Sequence, residues 1–469
     1  MKILEKYLID PGVRVIQQSQ ITLTLFLESK IMSATNQKPK PVFALPEGTH
    51  TVGLGFGDLN GLMRGKRIPA QHWKNACENG VGIITAMFTM DMTCDIWDTP
   101  FCNMDNGYPD MHMYPIEAPV ACPWEPDVAI CLAYTESMDH QPIPIDPRNA
   151  LVRQVARAEA MGFDPFVGTE LEFYLLDPVT KLPKQTEIDV YSINRSAELD
   201  HVLGPIRNHL TAIGIPIEQS NPEYAPGQVE VNMRYDRALV GADRVILFRN
   251  IIKDIARREG YLATFMAKPF IDKSGSGFHT HYSLWTDGKN AFAENGKLNK
   301  IGYSFLAGLQ SRMAEMSIAA STTPNAYRRR RPGMFCPINT AWGYDNRTVA
   351  LRILEGSDNA VRIEKRDGAA DCNPYYLLAC ELAAGLDGIE AGMMPKGPAT
   401  LGDACKLVDA DPIPRTIDQA IELGKQSDFL KRVMGEDALA IVIQQSERER
   451  DFVAAQVTAV ETRRYAGNL

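Results

Sequence analysis

No Cys-x-x-Cys pair occurs among the nine cysteines of this 469-residue chain (positions 77, 94, 102, 122, 131, 336, 372, 380 and 405), and nine is odd. Neither a disulfide framework nor a thiolate zinc site is expected from such usage, which suits a reducing cytoplasm. Long apolar runs are also missing. The early stretch Ile21 to Leu27 falls far short of the roughly 18–20 residues needed to cross a bilayer. Glu5, Asp10 and Glu28 around it break a signal-peptide pattern, so neither export nor a membrane anchor is expected. Positive charge is in deficit: 49 Lys and Arg stand against 58 Asp and Glu, a formal net charge of −9. That excludes a polyanion-binding surface over the whole molecule, and nucleic acid is not an expected partner. No repeat at a fixed period is present.

What is there reads as a chain too long for one typical core, with 45% hydrophobic and 23% charged residues. Residues 1–40 lack a domain pattern. Met32 opens the polar stretch "MSATNQKPKP", a flexible lead-in, and stands beside Met1 as a candidate natural start. Residues 41–145 are broken into short apolar pieces by Gly, Pro and Asn, which predicts a small sheet-rich domain. At "QPIPIDPRN", Asp146 as N-cap and Pro147 at the first helical position predict a helix to Met161, closed by Gly162. Residues 146–469 then alternate helical stretches, such as Arg244 to Ala267, with short strands. The expected class is α+β.

Four strand-like segments carry unusual polar residues, and strand parity puts them on one face of each. In "GTELEFYLL", Glu170 and Glu172 lie opposite Leu171, Phe173 and Leu175. In "PEYAPGQVEVNM", Gln228, Glu230 and Asn232 lie opposite Val229, Val231 and Met233, with Glu223 in the preceding loop. In "GSGFHTHYSLW", His279, His281 and Ser283 oppose Phe278, Thr280 and Tyr282; in "VRIEKR", Arg362, Glu364 and Arg366 oppose Val361, Ile363 and Lys365.

Each signal is weak alone. A Glu-x-Glu strand is ordinarily a solvated face, a His-x-His a hydrogen-bonded pair, and the run Arg328 to Arg331 a surface patch. Packed together, however, carboxylates about 4 Å apart repel by roughly 4 kcal/mol per pair at an effective dielectric near 20. Such a cluster demands cations, and an oxygen-rich ligand set with little imidazole favours Mg²⁺ or Mn²⁺ over Zn²⁺. Divalent metal beside the run Arg328 to Arg331 and Arg347, Arg352, Arg362 and Arg366 points to phosphate chemistry, since Arg presents a planar fork to phosphate and carboxylate. "SGSG" (Ser274 to Gly277) adds backbone amides that suit an anion.

In this order, "GTELEFYL", "APGQVEVN", "GSGFHTHYSLW", "NAYRRRRPG", "NRTVALRI" and "RIEKRDGAADCNPYYLLACELAAGLDGI" resemble the glutamine synthetase superfamily over roughly residues 52 to 390. The resemblance implies a small N-terminal β-grasp domain and a large C-terminal catalytic domain. The latter has a curved antiparallel sheet with surrounding helices, opening as a two-ended funnel. It implies a homo-oligomer, a dodecamer of two stacked hexameric rings with active sites between subunits. It implies Mg²⁺ or Mn²⁺, two or three per site, with ATP and L-glutamate as substrates. By motif position, Glu172, Glu223 and Glu230 are the expected ligands of the metal nearer glutamate, and Glu170, His279 and Glu364 of the metal nearer the ATP phosphates. His281, Ser283, Arg347, Arg352 and Arg362 fall in the ATP-binding set. Arg329 and Arg366 match the arginines that grip glutamate and the transferred phosphoryl, beside Ser274 and Gly275. Asp58 matches an aspartate donated across the interface to the amine site. Glutamate's γ-carboxylate would attack ATP, and an amine would then attack the γ-glutamyl phosphate.

Two departures bear on the amine. Phe335, in "RPGMFCP", occupies the position of the flap glutamate of ammonium-using members, and the acidic "DGSS" element is missing from "GVGIITAMFTMD". The expected activity is therefore a γ-glutamyl amide ligase for an organic amine, an apolar alkylamine or an arylamine such as aniline. The alternatives are an ammonium-dependent glutamine synthetase, a γ-glutamylpolyamine synthetase, or a non-catalytic structural member. Polyamines fit least unless acidic residues elsewhere line the mouth, because a second ammonium would otherwise be desolvated beside Phe335.

Overall fold

The computed structural model describes residues 40–467. The extension expected over residues 1–40 lies outside them, apart from Lys40. Two sheets organise the fold. The first contains β1 (Thr51–Gly57), β2 (Met63–Pro69), β3 (Val81–Ile84), β4 (Asp110–Pro115), β5 (Val120–Ala121) and β6 (Val128–Ser137). Its order is β2-β1-β6-β4-β3, with β5 beside β6. β1 and β6 run parallel at the centre of this sheet.

The second sheet has nine strands. They are β7 (Asp164–Leu176), β8 (Ile217–Pro222), β9 (Gln228–Arg237), β10 (Leu262–Thr264), β11 (Phe278–Thr286) and β12 (Lys289–Asn290), then, after the small hairpin β13 (Ala293–Glu294) and β14 (Lys297–Leu298), β15 (Trp342–Tyr344), β16 (Leu351–Leu354) and β17 (Arg362–Lys365). The main order is β15-β16-β17-β11-β7-β9-β8. The pairing is antiparallel except between β15 and β16, so the expected antiparallel sheet carries one parallel edge pair. The four segments singled out by parity are thus consecutive neighbours: β17, β11, β7 and β9.

Parity decides which face each side chain takes. Leu171, Phe173, Leu175, Val229 and Val231 are all 0% exposed and enter the core on the side of the helices Ala238–Arg258 and Pro147–Ala160. Each fully buried apolar side chain of this size stabilises by about 1.5–3 kcal/mol, which pins the register against a one-residue slip. The opposite face is left to the polar residues.

Asp146 caps the Pro147–Ala160 helix by accepting from the Arg148 amide at 2.8 Å, with Pro147 in the first turn and Gly162 at φ +85° beyond its end. The helix expected over Arg244 to Ala267 instead runs Ala238–Arg258. Gly260, at φ +73°, takes the left-handed conformation that ends helices, and Leu262–Thr264 then pairs with β7. Asn373 ties the two sheets together. Its amide donates to the Asp58 and Leu59 carbonyls at 3.0 Å each, while its Oδ1 caps the Pro374–Glu390 helix.

Candidate active site

Cross-strand register assembles the polar face. On β11 and β7, His279 is opposite Glu170; on β7 and β9, Glu172 is opposite Glu230; on β17, Glu364 is opposite both His281 of β11 and Arg352 of β16. Opposed residues in antiparallel pairs hold their Cβ atoms about 4.5–5.5 Å apart, so side chains distant in sequence meet. His279 Nδ1 lies 3.0 Å from Glu170 Oε1, and His281 Nε2 lies 3.2 Å from Glu170 Oε2. Arg352 donates to Glu364 Oε2 at 3.1 Å, and Arg366 donates to Glu364 Oε1.

The carboxylates divide electrostatically into two groups. Burial opposes ionisation of Glu364, yet Arg366, His281 and His279 outweigh it and hold its carboxyl down at about 2. Glu170 likewise stays well below the usual carboxylate range despite burial, through its two imidazole hydrogen bonds. The other group has no such cations. Burial, then the charges of Glu170 and Glu172, push Glu230 up to about 10, and burial with Glu172 pushes Glu223 to about 7. Among the described residues Glu172 accepts from two neutral donors, Gln228 Nε2 at 3.1 Å and the Gly277 amide at 2.9 Å.

Both groups suit a divalent ion. Glu170, His281 and Glu364 each offer a ligand atom, all within 4.8 Å of one another. Glu172, Glu223 and Glu230 present three carboxylates, none in an ion pair with a basic side chain among the described residues. Among the described residues, buried Gln228 Oε1, Asn232 Oδ1 and His281 Nδ1 lack hydrogen-bond partners, as expected of a site built around ligands. His279, the imidazole expected at the first ion, touches Glu170, but the three-residue group uses His281.

Two cavities meet at this cluster, sharing Glu170, Tyr191, Glu230 and Arg347. One, about 450 Å³, is lined by Glu172, Glu223, His279, Ser274, Gly275, Arg329, Phe335 and Arg366. The other, about 610 Å³, is lined by His281, Ser283, Arg352 and Arg362. Every expected site residue except Asp58 and Glu364 lines one of them, and Glu364 lies behind, bonded to Arg352 and Arg366. The space is two-ended, with carboxylates at the waist and arginines in both chambers.

The four-arginine run does not act as a unit. Arg328 and Arg331 are exposed. Arg330 is 1% exposed and structural, donating to Ser317 Oγ at 3.1 Å and the Pro414 carbonyl at 2.6 Å. Arg329 alone lines a cavity of the site, held by the Gly368 carbonyl at 2.7 Å. Gly275 allows that placement: a Cβ there would lie 2.6 Å from Arg329 Cγ and 2.8 Å from the Ala267 oxygen. Gly275→Ala is therefore expected to cost about 1–3 kcal/mol of stability and to raise several-fold the KM for glutamate, the substrate that the resemblance implies. Melting curves and steady-state kinetics check this, and an unchanged KM would separate Arg329 from the substrate.

Behind the polar face, Lys365 is fully buried between Asp367 and Glu381, 2.9 Å from Glu381 Oε1. Thr280 and Tyr282 donate to the other Glu381 oxygen at 2.9 Å each. This buried network grips β17 and β11 from the core side. It fixes the alternate residues Glu364 and Arg366 in the site.

Asp58 is not brought to the cluster within one chain. Its side chain is 0% exposed and accepts from the Asn60 and Leu62 amides and from Arg64 Nε at 2.8 Å. Sequence reasoning did not single out Tyr191 and Tyr224, which sit in irregular segments without periodicity. The only signal was an apolar residue inside a polar loop. Tyr224 faces Phe335 with ring centroids 6.4 Å apart, and both are 57% exposed at the cavity mouth. Ile188 and Val190 line the same cavity.

Comparison with known proteins agrees with this arrangement. A family model described as glutamine synthetase, catalytic domain, matches residues 144–465. A glutamate–isopropylamine ligase of a Pseudomonas species is 35% identical over 401 residues, covering 81% of this chain and 87% of that protein. A γ-glutamylethanolamide synthetase of Streptomyces coelicolor is 34% identical, covering 88% and 92%. A solved structure described as a GmaS/ADP complex superimposes with a TM-score of 0.80 at 30% identity, covering 90% of this chain and 97% of that one.

Proposed function

The chain belongs to the glutamine synthetase family and is an ATP-dependent carbon–nitrogen ligase; we propose that it joins the γ-carboxyl of L-glutamate to an organic amine. The observation that carries this reading is the mouth of the glutamate-side cavity. There Phe335 and Tyr224 form an aromatic wall with Ile188 and Val190, where a carboxylate would be needed to attract ammonium. Apolar area of this kind stabilises hydrocarbon on the nucleophile by about 25 cal/mol per Å². Two relatives, one named for the amine isopropylamine and one for an ethanolamide product, support the same reading.

Members of this family use ATP with divalent metal, Mg²⁺ or Mn²⁺. In this reading two ions are held, one by Glu172, Glu223 and Glu230, the other by Glu170, Glu364 and an imidazole of the His279/His281 pair. When bound, they supply charge neutralisation for the transferring phosphoryl group. The chain's own groups do the rest. Arg347, Arg352, Arg362, His281 and Ser283 hold the nucleotide in the larger chamber, and Arg329 and Arg366 orient the glutamate carboxylates. The γ-carboxylate oxygen bonds to the γ-phosphorus as the bond to ADP breaks. The amine nitrogen then bonds to the acyl carbon, phosphate leaves, and the amine proton passes to a carboxylate. Glu223 lies at this mouth. Asp58 enters only if a neighbouring subunit of a ring-shaped oligomer presents it, with its hold on Arg64 released.

The test compares specificity constants for ammonium, isopropylamine and aniline in the parent and in Phe335→Glu. The parent is expected to favour an organic amine, and the substitution to shift the ratio toward ammonium by about tenfold or more, one carboxylate–cation contact being worth roughly 1.5–3 kcal/mol. A parent that prefers ammonium, or a ranking the substitution leaves unmoved, would overturn the reading.

A further inference from the structure

A third cavity, about 1000 Å³, shares no lining residue with the two chambers of the active site. It lies where the regions of the two sheets meet: Asn60, Leu62 and Met92 come from the first, and the Ala238–Arg258 helix with residues 261–266 from the second. Its size is that of a pocket for a small organic molecule. Much of the lining is apolar. Met92, Met266 and Val453 stand exposed there beside Leu62 and Phe265, and flexible thioether side chains adapt to hydrocarbon of varied shape.

Exposed apolar side chains are ordinary and by themselves identify no occupant. What distinguishes this cavity is Arg249 in its wall. Its side chain is 4% exposed and lies over two rings, with Cζ 5.9 Å from the Phe265 centroid and 5.7 Å from that of Phe278. Nη1 donates to the Cys372 carbonyl at 2.8 Å. Nε and Nη2 have no partner among the described residues. Ring faces attract the charge but accept neither of these in-plane hydrogens, and a buried donor is left unmet only at a cost. The two free nitrogens form one edge of the guanidinium, and two parallel N–H groups on one edge are the geometry that receives a carboxylate.

One helical turn on, Lys253 lines the same cavity, exposed and without an ion pair among the described residues, its ammonium 5.9 Å from the Phe265 centroid. The acids of the wall leave both cations open. Asp254 is held by Arg257 at 2.5 Å and by Arg258 at 3.2 Å. Asp371 accepts from Thr323 at 3.2 Å and forms no ion pair with Arg249 among the described residues, and burial pushes its carboxyl up. With Glu449, three acids stand against Arg249, Lys253, Arg257 and Arg328, so one negative charge complements the wall. We propose that this cavity binds an apolar monocarboxylate, its carboxylate on the Nε–Nη2 edge of Arg249 and the Lys253 ammonium, its hydrocarbon among Leu62, Met92, Met266 and Val453. L-Glutamate does not fit, because its second carboxylate would be desolvated against that apolar wall. The site is independent of which amine the ligase uses.

The experiment is isothermal titration calorimetry on the full-length protein in its native assembly, with 3-phenylpropanoate, 3-phenylpropan-1-ol and acetate as probes. The phenylpropanoate is expected to bind about tenfold or more tightly than either of the others, since the alcohol lacks the charge and acetate the hydrocarbon. Excess L-glutamate should leave that affinity unchanged, because the cavity shares no side chain with the glutamate-side chamber. Lys253→Met should weaken the acid by about threefold to fivefold, the scale of a partly exposed charge contact, and leave the alcohol as it was. Lys253→Arg, which keeps the charge, should bind the acid as the parent does. Lys253 is exposed, so neither substitution disturbs the core and melting curves should coincide with the parent's. No binding of the acid, equal affinity for acid and alcohol, displacement by glutamate, or an affinity that Lys253→Met leaves unmoved would each overturn the site.

Discussion

Glu230→Gln is expected to lower turnover by about a thousandfold or more, a scale set by loss of a metal-ion ligand in phosphoryl transfer, while making the metal-free protein more stable. The carboxylate and the amide are nearly the same shape, so packing on β9 is unchanged and only charge is removed. Burial and the charges of Glu170 and Glu172 push the Glu230 carboxyl up to about 10 in the folded chain. A folded value raised above the unfolded one, near 4.3, gives stability that is present at low pH and lost as pH climbs through that window. Metal-free parent protein should therefore melt at progressively lower temperature from about pH 5 toward pH 10. The Glu230→Gln variant should show a flatter profile. Added Mg²⁺ should raise the parent's melting temperature by more than the variant's, which keeps the ligands of the second ion.

Glu364→Ala tests the same division of charge from the other side. Its carboxyl is held at about 2 by Arg366 and the two histidines, so it contributes stability above the usual carboxylate range that is lost only as pH falls toward 2. Removing it leaves Arg352 and Arg366 without their shared partner in a buried setting, which costs about 3–5 kcal/mol. One acidic substitution should thus stabilise the metal-free protein and the other destabilise it. If both shift melting in the same direction, the two carboxylate groups are not distinct.

Arg366→Lys is expected to lose about a hundredfold or more in kcat, since charged-group positioning dominates phosphoryl transfer, with a smaller change in the KM for ATP. Arg366 lines the glutamate-side chamber and donates to Glu364, so its fork holds a carboxylate on one side and opens onto that chamber on the other. Its Nε is buried and without a partner among the described residues, a donor open to a ligand. Lysine keeps the charge but presents a single rotatable ammonium, which cannot serve both partners in one plane. Single-turnover measurement of acyl-phosphate formation with glutamate and ATP separates the two steps. A near-normal rate would place Arg366 outside the transferring group.

How much of this was legible beforehand depends on the range of the interaction concerned. Period-two alternation in four short segments showed that Glu170, Glu172, Glu230, His279, His281, Glu364 and Arg366 each stand on the polar side of a strand, because apolar neighbours such as Leu171 and Val229 have only the core to enter. The capping of the Pro147–Ala160 helix by Asp146 was legible for the same local reason. The end of the Ala238–Arg258 helix was harder. Apolar residues continue to Ala267, and only the left-handed Gly260 and the demand of β7 for a partner turn Leu262–Thr264 into a strand.

The amino-acid sequence by itself determined the class of chemistry: which side chains carry charge, on which face of which strand, and in an order shared with one family of ligases. Tertiary structure decided what each charge does. It set Arg329 in the site and Arg330 in the core, though they are adjacent, because a 3₁₀ turn at Ala326–Arg329 aims them apart. It sealed Asp58 against Arg64, left Glu230 without a counter-charge, and gave Glu364 two. It also placed the loop residues Ile188, Val190, Tyr191 and Tyr224 around the mouth. These outcomes depend on distances between segments far apart in the chain. Periodicity reports only which way a side chain points from its own backbone, whereas electrostatic energy and cavity shape depend on which other backbone it points toward.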